Sequence, residues 1–114
     1  MMKAKKILMV EDDPILGTSL SAMFKIEGYE VEWSKSAKTA IEKFQETQFD
    51  LVSLDIGLPD ASGTEVCKEI RKKNIEVPII FLTAKTDEET IVSGLELGAN
   101  DFVKKPFSQK EIGR

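Results

Sequence analysis

Short apolar runs alternate with helical patterns from one end of this chain to the other, and that alternation limits the fold more than any other feature. Ile7–Val10, Leu51–Ile56 and Ile79–Thr83 are too short to be buried helices and show no polar alternation. Such runs suit strands covered on both faces. Glu30-Val31-Glu32-Trp33 alternates strictly, as an edge strand with one wet face does, and Asp101–Lys105 supplies a fifth strand. Between the strands lie helices. Asp13-Pro14 predicts a helix start, Leu16, Leu20, Met23 and Phe24 follow at helical spacing, and Gly28 predicts the stop. Ala37, Ala40, Ile41 and Phe44 mark a second helix. Ser62-Gly63-Thr64-Glu65 has the spacing of a capping box and opens a third, with Val66, Cys67 and Ile70 inward. Thr86-Asp87-Glu88-Glu89 opens a fourth, and Ser108-Gln109-Lys110-Glu111 a fifth that is truncated. Five strands alternating with helices predict an α/β fold: a parallel sheet with helices on both faces.

Composition narrows the function. A length of 114 residues predicts one domain, 1–114, with a single core. A net charge of -4 argues against the domain itself holding nucleic acid. One cysteine permits no internal disulfide and no zinc cluster, which predicts a cytoplasmic home. No apolar run approaches the roughly 20 residues needed to cross a bilayer. The basic start, Met1 to Lys6, is followed only by Ile7–Val10 before Glu11, too short for a signal peptide. Histidine is absent, which removes Ser-His-Asp, Cys-His and His-metal chemistry together. Cys67, on an apolar helix face, reads as an inert core residue, and Trp33 as half-buried packing.

Four strand ends carry pointed chemistry: Glu11 and Asp12, Asp55, Thr83, and Lys105. In an open parallel sheet, adjacent strands bring such ends to one edge, where ligands gather. Asp55 by itself reads equally well as an ordinary aspartate at the start of a turn set by Gly57, Pro59, Asp60 and Gly63. Together with Glu11 and Asp12 it makes three carboxylates that repel one another and call for a cation. Oxygen-only ligands favour a hard divalent ion such as Mg²⁺. Lys105 and Thr83 add a positive charge and a hydroxyl suited to phosphoryl oxygens. The plainer alternative is a salt-bridged acidic cluster.

At these residues the chain resembles the receiver domain of bacterial two-component response regulators, along essentially its whole length. Glu11-Asp12 is similar to the acidic pair that holds Mg²⁺, and Asp55 in Leu-Asp-Ile-Gly-Leu-Pro-Asp to the phospho-acceptor. Gly57 matches the position whose carbonyl completes the metal site, Thr83 in Phe-Leu-Thr-Ala the switch hydroxyl, and Lys105 in Lys-Lys-Pro-Phe the active-site lysine. Phe102 stands at the aromatic switch position, where tyrosine is common. The resemblance implies a flavodoxin-like, doubly wound, five-stranded parallel sheet in the order 2-1-3-4-5, with a cis Lys105-Pro106 peptide. It implies a signalling switch rather than an enzyme: a sensor histidine kinase passes a phosphoryl group to Asp55 in a Mg²⁺-dependent phosphorelay, and slow autodephosphorylation resets it. The surface of the fourth helix, fifth strand and fifth helix then changes, and activated chains form a homodimer. Gly94–Asp101 most resembles the branch with a winged-helix output, so transcription is the expected readout. DNA would be reached only through an output domain that this chain lacks, and no membrane contact is expected.

Three rival readings are weighed against this one. A phosphatase of the haloacid-dehalogenase type wants a second aspartate where Gly57 stands. A flavin module wants a phosphate loop after the first strand, where Glu11-Asp12-Asp13 would repel phosphate. A degenerate receiver, acting only as an interaction module, differs from the leading reading by failing to take a phosphoryl group.

Overall fold

The computed structural model describes residues 5–55, 57–74, 76–83 and 101–104. Its elements run β1 (Lys6–Val10), α1 (Pro14–Ile26), β2 (Glu30–Ser34), α2 (Ala37–Glu46), β3 (Leu51–Asp55), α3 (Gly63–Lys73), β4 (Ile79–Thr83) and β5 (Asp101–Lys104). The strands form one sheet in the order β2-β1-β3-β4-β5, every pair parallel. This is the flavodoxin-like order that the resemblance implies. The expected fourth and fifth helices, the Thr86 and Ser108 capping boxes and the Lys105-Pro106 peptide lie outside the described residues.

Burial explains the strand order. β1 is buried from Ile7 to Val10 and β3 from Val52 to Asp55, because each has a strand on either side and helices above and below. β2 alternates between exposed and half-buried until Ser34, and it occupies the edge. Successive side chains point to opposite faces, so two cores form. Leu8, Val10, Val52, Leu54, Ile79 and Phe81 meet α2 and α3 through Ala40, Phe44, Val66 and Ile70. Ile7, Met9 and Leu82 meet α1 through Leu20 and Phe24. Each large side chain fully buried here contributes roughly 1.5–3 kcal/mol.

Helix ends largely follow the local chemistry. Asp13 caps α1, its Oδ1 accepting from the N–H of Ile15 at 2.9 Å and of Leu16 at 3.2 Å, with Pro14 in the first turn. After α1 the chain reverses through Gly28 at φ +97°, a left-handed conformation that a side chain would strain. Ser62 caps α3, but the reciprocal capping box is not made. Ser62 Oγ accepts from Thr64 N–H rather than from Glu65 N–H, and the Glu65 carboxylate lies 3.9 Å from Lys68 instead of turning back. An isolated antiparallel bridge between Ser62 and Gly57 holds the backbone at this point, so the loop rather than the box sets the entry to α3. Asp50 has a structural role that no local pattern announces. It bonds both ways with Lys6, its N–H to the Lys6 carbonyl at 2.8 Å and its Oδ2 accepting from the Lys6 N–H at 2.8 Å, which pins the start of β3 against β1. Among the described residues, no helix is long and apolar enough to cross a membrane.

Candidate functional site

Register assembles the site. Val10 pairs with Leu54, so the residues that follow, Glu11 and Asp55, stand level at the carboxyl edge. One oxygen from each of Glu11, Asp12 and Asp55 lies within 4.8 Å of the other two. Glu11 is 1% exposed and Asp55 8%, whereas Asp12 faces solvent. Charges this close repel by about 3–4 kcal/mol per pair at an effective dielectric near 20 when all are ionised. The donor set is oxygen only, with two members buried and one open to water. That combination fits a hard divalent cation that keeps part of its hydration.

Neighbouring elements hold each carboxylate in place. The peptide of Glu11 is tied twice to the end of β2: its N–H donates to the Ser34 carbonyl at 2.9 Å, and its carbonyl accepts from Trp33 Nε1–H at 2.8 Å. Glu11 Oε2 accepts from the N–H of Asp13 at 3.2 Å. Asp13 therefore organises the turn and the helix start, while Asp12, open to water, brings an oxygen to the cluster. Asp55 Oδ1 accepts from the N–H of Gly57 at 3.1 Å, so the loop that leaves β3 orients the carboxylate it follows.

The other expected site residues are placed in part. Asp55 pairs with Leu82, which puts Thr83, the last residue of β4, one step further along the same edge. Thr83 pairs in turn with Lys104, and Phe102 pairs with Phe81. The backbone thus brings the ends of β1, β3, β4 and β5 to one edge. The side chains of Thr83 and Phe102 and the whole of Lys105 lie outside the described residues. Cys67 is buried on the inner face of α3, as expected, and burial pushes its thiol up from the ordinary range against a smaller opposing pull from Arg71.

Two supporting residues have roles that sequence reasoning missed. Trp33 does pack, half-buried with the Lys35 ammonium 5.0 Å from its ring centroid, but its indole N–H also fixes the carbonyl of Glu11. Asp60 reads as a turn residue, yet its Oδ1 accepts from the N–H of Ala37 at 2.8 Å and its Oδ2 from that of Lys38 at 3.0 Å. Those backbone N–H groups hold the Asp60 carboxyl below the usual range. No local pattern points to either bond, since the partners lie 22 or 23 residues away.

A doubly wound parallel sheet with an acidic, oxygen-only cluster at the carboxyl ends of two adjacent interior strands defines a class of α/β domain with a candidate cation site. Residues 7–114 match the family of response regulator receiver domains, and the chain belongs to that family. It is a receiver of two-component signalling, a switch activated by phosphorylation. Among solved structures it is 41% identical to the non-phosphorylated HemR receiver domain of Leptospira biflexa, covering 95% of this chain and 87% of that one with a TM-score of 0.88. A CheY-like receiver domain protein from Methanospirillum hungatei is 32% identical, with 96% and 88% covered and a TM-score of 0.92. The receiver domain of the sensor histidine kinase PA1611 from Pseudomonas aeruginosa is also 32% identical, with 96% and 92% covered and a TM-score of 0.88; that structure has a magnesium ion coordinated in its active-site cleft.

Proposed function

We propose that Asp55 is the phospho-acceptor of this receiver and that Glu11, Asp12, Asp55 and the Gly57 carbonyl hold a Mg²⁺ ion beside it. The observation that carries the reading is the acidic triplet, with Asp55 at the end of β3 and its carboxylate oriented by the next loop. An oxygen of Asp55 attacks the phosphorus of a phosphohistidine on a sensor kinase. A new O–P bond forms as the P–N bond breaks, and the electron pair returns to the imidazole. Bound Mg²⁺ supplies positive charge to the phosphoryl oxygens and offsets the repulsion among the three carboxylates. Glu11 and Asp12 serve as its ligands, and Gly57 N–H fixes the angle of Asp55. Lys105 pairs with one phosphoryl oxygen and Thr83 with another, and Phe102 fills the space that Thr83 leaves. Turning a mostly inactive population into a mostly active one takes a differential of about 3–5 kcal/mol, within reach of several charge-assisted bonds.

On this reading residues 1–114 act as one unit in the cytoplasm, and the chain is a stoichiometric acceptor rather than an enzyme. Its partners are a sensor histidine kinase and, once activated, a second copy. The Gly94–Asp101 run favours a transcriptional output through a separate winged-helix domain. The test is intact mass after incubation with Mg²⁺ and acetyl phosphate. One acid-labile phosphoryl adduct is expected on the wild type and none on Asp55→Asn. A full adduct on Asp55→Asn removes the assignment, and no adduct on the wild type points to a degenerate receiver acting by contact alone.

A further inference from the structure

We propose that Asp60 is a positioning residue for the acidic site, acting through the start of α2. The proposal rests on Asp55 and Gly57 having the roles given above. Beyond Gly57 the chain closes on itself through the Gly57–Ser62 bridge, leaving residues 58–61 as a tight loop. From the tip of that loop Asp60 reaches α2 and takes its first two N–H groups, one oxygen to Ala37 at 2.8 Å and the other to Lys38 at 3.0 Å. Those donors have no partner inside a helix. Ser36, the cap within α2's own segment, takes a different one, its Oγ accepting from Thr39 N–H at 3.2 Å. Two charge-assisted bonds from one rigid carboxylate fix an orientation as well as a distance.

The start of α2 is itself tied to the acidic site. Two residues before Ser36, the Ser34 carbonyl accepts from the N–H of Glu11 at 2.9 Å. The contacts therefore form a ring: Asp55 to Gly57 by a hydrogen bond, Gly57 to Asp60 along the loop, Asp60 to α2, and α2 back through Ser34 to Glu11. The ring closes where the Glu11 and Asp55 carboxylates meet. Leu58 and Ala61 pack against the core, so losing Asp60 does not release the loop. What the loop loses is its angular reference to the strand end that carries Glu11. Small displacements of such supporting groups have large effects on coordination.

The test compares Asp60→Ala and Asp60→Asn with Ser36→Ala, which weakens the start of α2 from its own side and leaves the loop alone. Three quantities are read on the whole chain: melting temperature, Mg²⁺ affinity by calorimetry, and the rate of phosphoryl adduct formation from acetyl phosphate. Asp60→Ala should weaken Mg²⁺ affinity and slow the adduct by about 10-fold or more, as loss of an outer partner does at other metal sites. Ser36→Ala should lower the melting temperature yet keep both other quantities within about twofold. Asp60→Asn keeps one acceptor and sets an NH₂ against the second N–H, so it should fall between. Wild-type affinity and rate in either Asp60 variant, or equal losses in Ser36→Ala, overturn the proposal and leave Asp60 as a helix cap. Absence of an adduct on the wild type instead strikes at the reading of Asp55, and the ratio of Mg²⁺ affinities then decides on Asp60 separately.

Discussion

Trp33 joins packing to chemistry in a single side chain. Its ring lies over Gly17 of α1 so closely that a Cβ at Gly17 would fall 2.0 Å from ring atom Cζ2. Glycine inside a helix costs about 1 kcal/mol in propensity, and here it makes room for the indole that holds Glu11. Gly17→Ala should therefore destabilise the fold by about 1–3 kcal/mol in urea titrations, because overpacking outweighs the propensity gain. If the variant is instead more stable, the contact between α1 and β2 is looser than described. A second expectation concerns Cys67. Its thiol is buried and pushed up, so at pH 8 it should react with iodoacetamide only as fast as the fold opens, and rapidly in denaturant. The sequence shows Trp33 as packing and Cys67 as core, because burial follows periodicity. It does not show the Trp33–Glu11 bond, whose partners meet only once β2 pairs with β1.

At the scale of elements, the joints show what local pattern can reveal and where it stops. The start of α1 is legible because Asp13, Pro14 and their targets lie within a few residues. The start of α3 is only half legible, since the Gly57–Ser62 bridge overrides the capping-box spacing. The start of α2 is not legible, since two of its donors go to a residue on another loop. The separation of Asp12 from Asp13 gives an expectation at this scale. Asp13→Ala should cost about 1 kcal/mol of stability as a lost cap and leave Mg²⁺ affinity within about twofold. Asp12→Ala should do the reverse, and equal losses of affinity from the two variants would contradict the assignment of ligand and cap. The Asp60 joint gives a pH dependence. Its carboxyl is held down in the folded state, so its contribution is present above the unfolded value near pH 4 and is lost as pH falls through the lower folded value. The stability gap between wild type and Asp60→Asn should therefore close on acidification below about pH 4, and a gap constant down to pH 2 would deny Asp60 that role.

At the scale of the whole molecule, the sheet that makes the core also creates the charge conflict. β1 and β3 are each buried over four of their five residues, and their pairing places Glu11 level with Asp55 whatever the cost of doing so. Two buried carboxylates and a third at the surface, all within 4.8 Å, are a poor arrangement for stability and a good one for holding a cation. The alternating pattern of the chain discloses the edge on which these residues gather, but the distance between them comes from the register. Removing one charge should then stabilise the metal-free protein. Asp12→Asn is the informative change, because Asp12 is exposed and its loss leaves both cores intact. In EDTA this variant should melt above the wild type by about 4 °C, the equivalent of about 1 kcal/mol once solvent screening is allowed for. Salt at 1 M should shrink the difference, since screening relieves the same repulsion in the wild type. Mg²⁺ at ten times its dissociation constant should add about 1.4 kcal/mol to the wild type and much less to the variant, reversing their order. Thermal unfolding of both proteins in EDTA, in EDTA with salt, and in Mg²⁺ decides the matter. If Asp12→Asn melts below the wild type in EDTA, the cluster is already neutralised within the protein, and the cation is not what its geometry is built to receive.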